Sequence, residues 1–378
     1  MKRITTKQRD RDVLRDLRQR RRIVEYKKTT YRSNKRQRNI KHFRAWVKIK
    51  AREGINISIR GKTGYAVLVL PQTMNFSSEY EVTAKHINII REFTTSESPA
   101  FKLGKVVFDY LKCISTSAAL VLTAELSRWD DILSQNLCPE PQKWDPDIRR
   151  RFSELGFFEI FPGSLKLGES EPVYNPAIKL VPYIKGQCGD NNKTRLLNEQ
   201  LQKIIGDSID KWTFLSCGLS EAITNVTHHA YPETEGYSEK DRYWYLSGSF
   251  NREDKELKVV FYDQGISIPK TLPESKLWER LLSSLSKMAL ADRMKDEVML
   301  KAAVELERTS TNDSDRGKGL QDLLEFIKQR NNGYLSILSS RGLYKYSQES
   351  GYGKDKTFRF KEPVNGTLII WRLILDID

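Results

Sequence analysis

Four short motifs follow one another through the C-terminal part of this chain, and each is attached to a run of residues with a strand or helix pattern. In order they are Glu221-Ala-Ile-Thr-Asn225, Asp263-Gln-Gly265, Gly317-Lys-Gly319-Leu320 and Gly366-Thr367. Each motif alone occurs by chance in many proteins of this size. The ordered set is informative because each member supplies a different chemical group to one site.

The first motif pairs a carboxylate with an amide on a predicted helix. The segment Leu215–Tyr231 has helical spacing, so Glu221 and Asn225 lie one turn apart on one face. A carboxylate there can accept a proton from water or from a substrate hydroxyl. The amide oxygen of Asn225 is a hard ligand suited to Mg²⁺, which keeps several waters and takes few protein ligands.

The second and third motifs are suited to a base and to phosphates. Asp263 follows the strand-like run Leu257–Tyr262, where its carboxylate can accept a hydrogen bond from an exocyclic amine. Gly265 has no Cβ, so a flat base can approach its backbone. Gly317-Lys-Gly319 precedes a run of apolar residues with helical spacing that begins at Leu320. Free N–H groups at the start of that helix attract phosphate, and Lys318 adds a positive charge.

The order and chemistry of the motifs resemble those of the GHKL (Bergerat-fold) ATPases, and the local sequence of the motifs is closest to that of the anti-sigma serine kinases. The resemblance covers roughly residues 178–378. It rests on Glu221-Ala-x-Thr-Asn225-x-x-x-His229-Ala-Tyr231 and on Asp263-Gln-Gly265-x-x-x-Pro269. It implies a Bergerat α/β sandwich over residues 195–378, a mixed sheet covered by helices, with a lid at about 270–316.

The same resemblance implies ATP and Mg²⁺ as cofactors and a role for each matching residue. Glu221 is the catalytic residue, which polarises the attacking group, and Asn225 holds the metal. The residues implied to bind the nucleotide are Asp263, Gly265 and Thr367 on the adenine side, and Gly317, Lys318, Gly319 and Leu320 on the phosphate side. His229 also matches a family position, and both a structural and a catalytic role remain open for it.

Residues 55–170 alternate between strand and helix patterns, which predicts a second α/β domain. The expected strands are Tyr65–Leu70 and Lys105–Phe108, and the expected helices are Ser78–Phe93, Ser117–Trp129 and Asp147–Leu155. The segment Val106–Leu120 and the run that begins at Arg149 resemble STAS domains, the fold of anti-sigma-factor antagonists. Residues 171–194 form a linker and possible first strand, Ile178–Ile184.

Ser117 falls where STAS antagonists carry their phosphorylated serine. This chain departs from that pattern, because Ser115 replaces the preceding acidic residue and Ala118 replaces the usual glycine. The alternative is structural: Ser115 caps the helix, and Ser117 lies in its first turn.

The excess positive charge of the chain lies in residues 1–54, a basic N-terminal extension. This segment contains 21 Lys and Arg against five Asp and Glu, whereas the whole chain has a net charge of +15. Such an extension can neutralise phosphates on nucleic acid or on another polyanion. The alternative is a solvated, partly disordered extension.

Other expectations concern the C-terminal domain. We expect helices at Leu196–Ile205, near Leu277–Met294 and at Asp296–Glu307, and a polar loop at Arg308–Asp315. The expected strands are Tyr243–Phe250, Leu257–Tyr262, Tyr334–Ser339 and Thr367–Leu375.

Composition restricts the cellular setting. No apolar run approaches the length of a transmembrane segment, and the N-terminus lacks the apolar region of a secretory signal. The four cysteines are widely spaced and form no C-x-x-C pair, which favours a cytoplasmic location.

These features together predict an ATP-binding signalling protein with ATPase or serine/threonine kinase-like activity, regulated through the STAS-like domain. The resemblance to GHKL kinases leaves a homodimer open. A histidine kinase is disfavoured, because neither His42 nor His86 is followed by an acidic residue. Two alternatives remain: a non-catalytic module switched by ATP, and a polyanion-associated regulator that acts through residues 1–54.

Overall fold

The computed structural model describes most of the chain, and every structural statement below concerns that part. The described residues are 6–61, 64–95, 102–128, 140–160, 177–188, 190–206, 209, 211–233, 236–237, 242–275, 278–309, 319–330 and 332–375. Within them helices and strands are mixed along the whole chain, so the fold class is α/β. None of the helices in this part is both long enough and apolar enough to cross a membrane.

The basic extension is helical over nearly its whole length. Helix α1 runs from Thr6 to Arg52. Its C-terminal end is packed: Phe43 and Val47 are buried, and the Trp46 ring meets the Phe93 ring edge-on at 5.3 Å. Between Arg15 and Arg38, by contrast, every side chain that the structure describes is exposed. Among the described side chains of α1, those that are packed against the rest of the protein lie at its C-terminal end.

An N-terminal unit follows α1 and contains two small sheets. Strand β2 pairs with β1 antiparallel and with β4 parallel, and β3 pairs with β5 in parallel. The strands are β1 Ile57–Arg60, β2 Tyr65–Val69, β3 Thr73–Met74, β4 Leu103–Val107 and β5 Cys113–Ile114. The α-helices are α2 Tyr80–Thr95, α3 Thr116–Leu126 and α4 Pro146–Glu154, and short 3-10 segments cover Pro141–Lys143 and Phe157–Ile160. The predicted strands and helices of this region are confirmed within a few residues.

Helix α3 is buried on all sides, as expected for a helix that is apolar around its whole circumference. The Ser115 side chain caps it by accepting a hydrogen bond from the Ala118 N–H at 3.2 Å, which confirms the capping alternative. Ser117 is 5% exposed, and its hydroxyl lies 3.1 Å from that of Ser115. A kinase therefore cannot reach Ser117 in this conformation.

The C-terminal part is built on a six-stranded sheet whose described pairings are all antiparallel, so the mixed sheet implied by the resemblance is wrong. Its strand order is β10-β11-β9-β8-β6, and β7 also pairs with β8. The strands are β6 Ile178–Leu180, β7 Ile184–Gln187, β8 Tyr243–Asn251, β9 Glu256–Asp263, β10 Asn332–Glu349 and β11 Tyr352–Ile374. The last two strands are far longer than predicted, because they continue past the sheet as a two-stranded hairpin that turns at Ser350-Gly351.

Helices cover one face of this sheet. They are α5 Thr194–Ile205, α6 Trp212–Asn225, α7 Ile268–Thr271, α8 Trp278–Ser284, α9 Leu290–Arg293, α10 Asp296–Thr309 and α11 Gly319–Lys328. A 3-10 segment at Leu272–Glu274 follows α7, and another at Asn191–Lys193 precedes α5. The predicted helix near Leu277–Met294 is divided into α8 and α9. Residues 308–309 of the predicted loop belong to α10, and the rest of that loop lies outside the described residues.

The N-terminal unit covers the opposite face of the sheet. Alternate side chains of β9 point to opposite faces, and both sets are buried. Val259 and Phe261 join the core under the helices, whereas Val260 and Tyr262 join the core of the N-terminal unit. The molecule is therefore layered, with the six-stranded sheet between the N-terminal unit and the helical layer.

Candidate nucleotide-binding site

A cavity of about 110 Å³ lies at one end of the six-stranded sheet, under α7 and α10. Its walls are mostly apolar and include Ile266, Ile268, Leu272, Ala303 and Ile369. Its polar residues include Asn225 at the end of α6, Asp263 at the end of β9 and Thr367 within β11, beside His229, Thr271 and Ser275. Three residues singled out by the sequence motifs therefore lie in the wall of one cavity.

Asp263 is the buried acidic group of this cavity. It is the last residue of β9, it is 3% exposed, and it lies opposite Thr367 in the strand pairing. Its Oδ1 accepts a hydrogen bond from the Gly265 N–H at 2.9 Å. Burial raises the pKa of Asp263 to about 7, although hydrogen bonds from Gly265 and Thr367 and the charge of Arg91 act in the opposite direction. A ligand that donates to this carboxyl would favour its ionised form.

Two glycines allow the segments around Asp263 to pack closely. Gly366 has φ +85°, and a Cβ there would lie 2.0 Å from the Asp263 carbonyl oxygen. At Gly265 a Cβ would lie 2.2 Å from the Ala230 carbonyl oxygen. The sequence suggested that Gly265 leaves room for a base. In the structure its lack of a side chain is needed against the protein's own backbone.

The helix that carries Glu221 and Asn225 ends differently from the prediction. Regular α-helix stops at Asn225, and Val226–Ala230 forms a π-helical turn, a feature that is frequent at functional sites. The Thr227 hydroxyl donates to the Ile223 carbonyl at 2.9 Å, a bond that competes with regular helix geometry. The turn brings His229 to the cavity wall.

Glu221 lies one helical turn before Asn225 and is half-buried. Burial and the nearby Asp322 raise the pKa of Glu221, against the charge of His228 and a hydrogen bond with the Asn225 side chain. A raised pKa makes a carboxylate a stronger proton acceptor. Glu221 is not part of the wall of the cavity, so it lies beside the space that Asp263 and Thr367 enclose.

Helix α11 packs directly on α6 and brings the third motif toward the same site. A Cβ on Gly218 would lie 3.1 Å from the Asp322 carbonyl oxygen and 3.3 Å from the Leu323 Cα, so the two backbones nearly touch. Gly319 is the first residue of α11, and Leu320 follows it in the same turn. Gly317 and Lys318 lie outside the described residues.

The structure also shows contacts that the motifs did not reveal. Tyr231, next to the π-helical turn, accepts a hydrogen bond from the Gln264 N–H. Arg91 and Glu125 of the N-terminal unit contact Gln264 from the other side. One signal was present in the sequence, since Glu125 is a charged residue within the otherwise apolar α3.

No protein-family model matches the chain, and no curated protein sequence matches it either. The assignment of a function therefore depends on the site itself.

The cavity combines a buried carboxyl with mostly apolar walls. Such a carboxyl can accept a hydrogen bond from an amine while the walls contact a flat ring. The described residues contain no group of three or more His, Cys, Asp or Glu side chains placed to hold a metal ion.

Proposed function

We propose that the chain binds ATP in the cavity where the end of β9 lies beside Thr367 of β11. The observation that carries the proposal is Asp263, an acidic group 3% exposed in a mostly apolar cavity and aligned with Thr367. A buried carboxyl is costly unless it is paired or satisfied. The exocyclic amine of adenine would supply a donor, and the apolar walls would contact the two faces of the ring.

The proposal includes the two-domain interpretation of the fold. A sheet with helices on one face, an acidic residue at the end of β9 and a glycine next to its strand partner Thr367 within β11 support a Bergerat-type ATP-binding domain. The alternation of short strands and helices in the N-terminal unit supports a STAS-like domain. The sequence resemblance remains the reason for both names.

For chemistry we assign Glu221 as the residue that accepts a proton from the attacking group, a water or a protein hydroxyl. Its raised pKa and its place one turn from Asn225 support this role. Asn225 would hold Mg²⁺, which neutralises charge on the transferred phosphoryl group. The start of α11, with Gly317, Lys318 and Gly319, would bind the phosphates. We further assign the protein to the cytoplasm, as an ATPase or a protein kinase in signalling.

Calorimetry of ATP binding tests the adenine site. Asp263→Asn should weaken ATP by about 1.5–3 kcal/mol, the scale of a hydrogen bond to a charged group. Asp254→Asn is the matched control, since Asp254 is exposed in the turn at the opposite end of β8 and β9. Equal ATP affinity in the wild type and Asp263→Asn would refute the adenine site.

A variant at Glu221 distinguishes catalysis from the alternative, a non-catalytic module that is switched by ATP. Glu221→Ala should keep ATP affinity within a few-fold and lower turnover about 10²-fold, the usual scale for loss of a general base. Binding of ATP without turnover in the wild type would favour the switch.

A second function is favoured by the exposed part of α1. Residues 1–38 contain 16 Lys and Arg against four Asp and Glu, and the described side chains between Arg15 and Arg38 are exposed. We propose that this part binds nucleic acid through its phosphates. Affinity should fall steeply with salt, because each neutralised phosphate releases counterions.

The structure changes how this second function is tested. Removal of residues 1–54 would also remove Phe43 and Val47 from the core, so the suitable deletion is residues 1–38. The shortened protein should lose salt-dependent nucleic-acid binding and keep ATP binding. Retention of nucleic acid after this deletion would place the binding surface elsewhere.

A further inference from the structure

Residues of the N-terminal unit form a network of hydrogen bonds with the segment Asp263–Gly265. Gln264, between the two motif residues, is 1% exposed. Its carbonyl oxygen accepts a hydrogen bond from Arg91 Nη2 at 2.6 Å. Its side-chain Nε2 donates to the Ala124 carbonyl at 2.9 Å and lies 3.2 Å from Glu125 Oε1. The N-terminal unit thus fixes both the backbone and the side chain of Gln264.

A fully buried carboxylate is the centre of this network. Glu125 is 0% exposed, and its Oε1 is paired with Arg91 Nη1 at 3.2 Å. The Tyr262 hydroxyl lies 2.7 Å from the same oxygen and 2.8 Å from the Asn365 carbonyl. The network therefore reaches β9 just before Asp263 and the segment just before Gly366.

Helix α2 holds the second of these segments by additional bonds. Asn88 Nδ2 donates to the Pro363 carbonyl at 3.1 Å, and its Oδ1 accepts from Asn365 Nδ2 at 2.8 Å. The Glu81 carboxylate accepts the N–H groups of Lys361 and Glu362 at 2.8 and 2.9 Å. The segment that leads to Thr367 is thus bound along its backbone by one face of α2.

We propose that Arg91 and Glu125 are positioning residues for the nucleotide site, through which the N-terminal unit sets its affinity for ATP. Neither residue is part of the cavity wall. Arg91 acts through the Gln264 carbonyl, and Glu125 acts through the Gln264 amide and the Tyr262 hydroxyl. Together they determine where Asp263 and Thr367 stand relative to each other. The expected effect on ATP affinity rests on the proposed function. The hydrogen-bond network itself does not depend on that proposal.

The molecule contains a matched control at the far end of the same interface. Arg150 and Glu154 of α4 form an ion pair at 2.6 Å. Arg150 also donates to the Ile178 carbonyl, and Glu154 accepts the Leu180 N–H at 2.9 Å. This pair joins the N-terminal unit to β6, at the edge of the sheet and away from the cavity. It has the same charges and also links the two parts of the protein.

The test compares two double variants of the full-length protein. Arg91→Gln with Glu125→Gln removes both charges at once, so that no buried charge is left without its partner. Arg150→Gln with Glu154→Gln does the same at β6. ATP affinity is measured by calorimetry on the folded fraction, and hydrogen exchange of residues 263–267 is measured without nucleotide.

We expect the Arg91/Glu125 variant to bind ATP about tenfold more weakly, because the loss of alignment should cost about as much as one net hydrogen bond. Its amides at 263–267 should exchange faster. The Arg150/Glu154 variant should change neither quantity by more than about twofold. Wild-type ATP affinity in a folded Arg91/Glu125 variant would overturn the proposal, and so would equal weakening in both variants.

The exchange measurement separates this inference from the proposed function. If the wild type does not bind ATP, the proposed function fails. Faster exchange at 263–267 in the Arg91/Glu125 variant alone would then still support positioning of that segment. Unchanged exchange there would overturn positioning, whether or not ATP binds. If the Arg91/Glu125 variant does not fold, Arg91→Lys is measured instead. It should bind ATP more weakly than the wild type and exchange faster at 263–267, and wild-type values of both quantities would overturn the proposal.

Discussion

The two faces of the six-stranded sheet are buried in different ways. The face under α6 and α11 is packed almost entirely by apolar side chains, such as Leu246, Phe261 and Trp371. The face under the N-terminal unit has hydroxyl groups among its apolar residues. These are bonded across the interface in pairs: Tyr245 with Ser127 at 2.6 Å, Ser249 with Thr116 at 2.8 Å, and Tyr262 with Glu125 at 2.7 Å.

The two faces differ in the kind of contact. Hydrogen bonds under the N-terminal unit are directional, whereas the apolar contacts under the helices are not. Apolar packing depends on volume and tolerates substitutions that keep the volume. A buried polar network tolerates little, because every donor and acceptor needs a partner in one geometry. We infer that the helical face supplies stability and much of the cavity wall, whereas the face under the N-terminal unit fixes the alignment of the strand ends.

The largest effect is expected where the polar face loses one member of its charged pair. Arg91→Gln alone leaves Glu125 buried and uncompensated, which should cost about 3–5 kcal/mol of unfolding free energy. Adding Glu125→Gln should restore most of that loss. Chemical denaturation measures both, and a double variant whose loss equals the sum of the single losses would contradict a coupled pair.

A cavity on the apolar face should lower stability without changing the site. Leu246 is fully buried under the helices, so Leu246→Ala should cost about 2–5 kcal/mol. In the folded protein ATP affinity should remain that of the wild type. A tenfold weaker affinity in Leu246→Ala would remove the distinction between the two faces.

A matched pair of glycines measures the close approach at Asp263. Gly351 and Gly366 have nearly the same φ, +84° and +85°, but a Cβ on Gly351 would meet no atom within 4 Å. Gly351→Ala should therefore cost only the left-handed strain, about 1–2 kcal/mol. Gly366→Ala should cost more and should also weaken ATP, since the Asp263 carbonyl must move. Thermal unfolding and calorimetry that give the two variants identical values would argue against this contact.

The smallest expected effect is that of pH on ligand affinity, which depends on the ionisation of Asp263. Its carboxyl has a pKa of about 7 in the folded chain, and about 4 is expected in the unfolded chain. Between these values the folded protein holds a proton that the unfolded chain has released, so stability falls as pH rises through this window.

A bound adenine amine favours the ionised carboxyl, so affinity should rise from pH 6 to pH 8. Adenosine is the suitable ligand, because it carries no phosphate that titrates in this range. Asp263→Asn should remove the dependence. Burial and His228 lower the pKa of His229, which also lies at the cavity, so His229→Gln should leave the dependence in place. Loss of the dependence in His229→Gln would assign it to the histidine.

The sequence predicted the local elements well where side-chain patterns determine them. Strand β9 and helix α5 were predicted within one to two residues, because their apolar spacing is regular. The meeting of Asn225, Asp263 and Thr367 in one cavity followed the order of the motifs. The roles assigned to these residues remain predictions.

Longer-range features were not predictable in the same way. Nothing in a strand pattern specifies which unit covers its second face, so the packing of α3 on β8 and β9 was not foreseen. The predicted strands were shorter than β10 and β11, because the outer part of the hairpin is polar, with exposed side chains such as Lys354 and Lys356. The π-helical turn depends on bonds from Thr227 that spacing alone does not reveal.

The packing of α1 at its C-terminal end has an electrostatic consequence. At 1.5 Å per residue, the 33 residues from Thr6 to Arg38 extend over about 50 Å. The screening length at physiological ionic strength is about 8 Å. The segment therefore spans about six screening lengths, so charges at its two ends cannot act on the same phosphate. A polyanion at the N-terminal end of the helix would be held without help from the charges near its packed end.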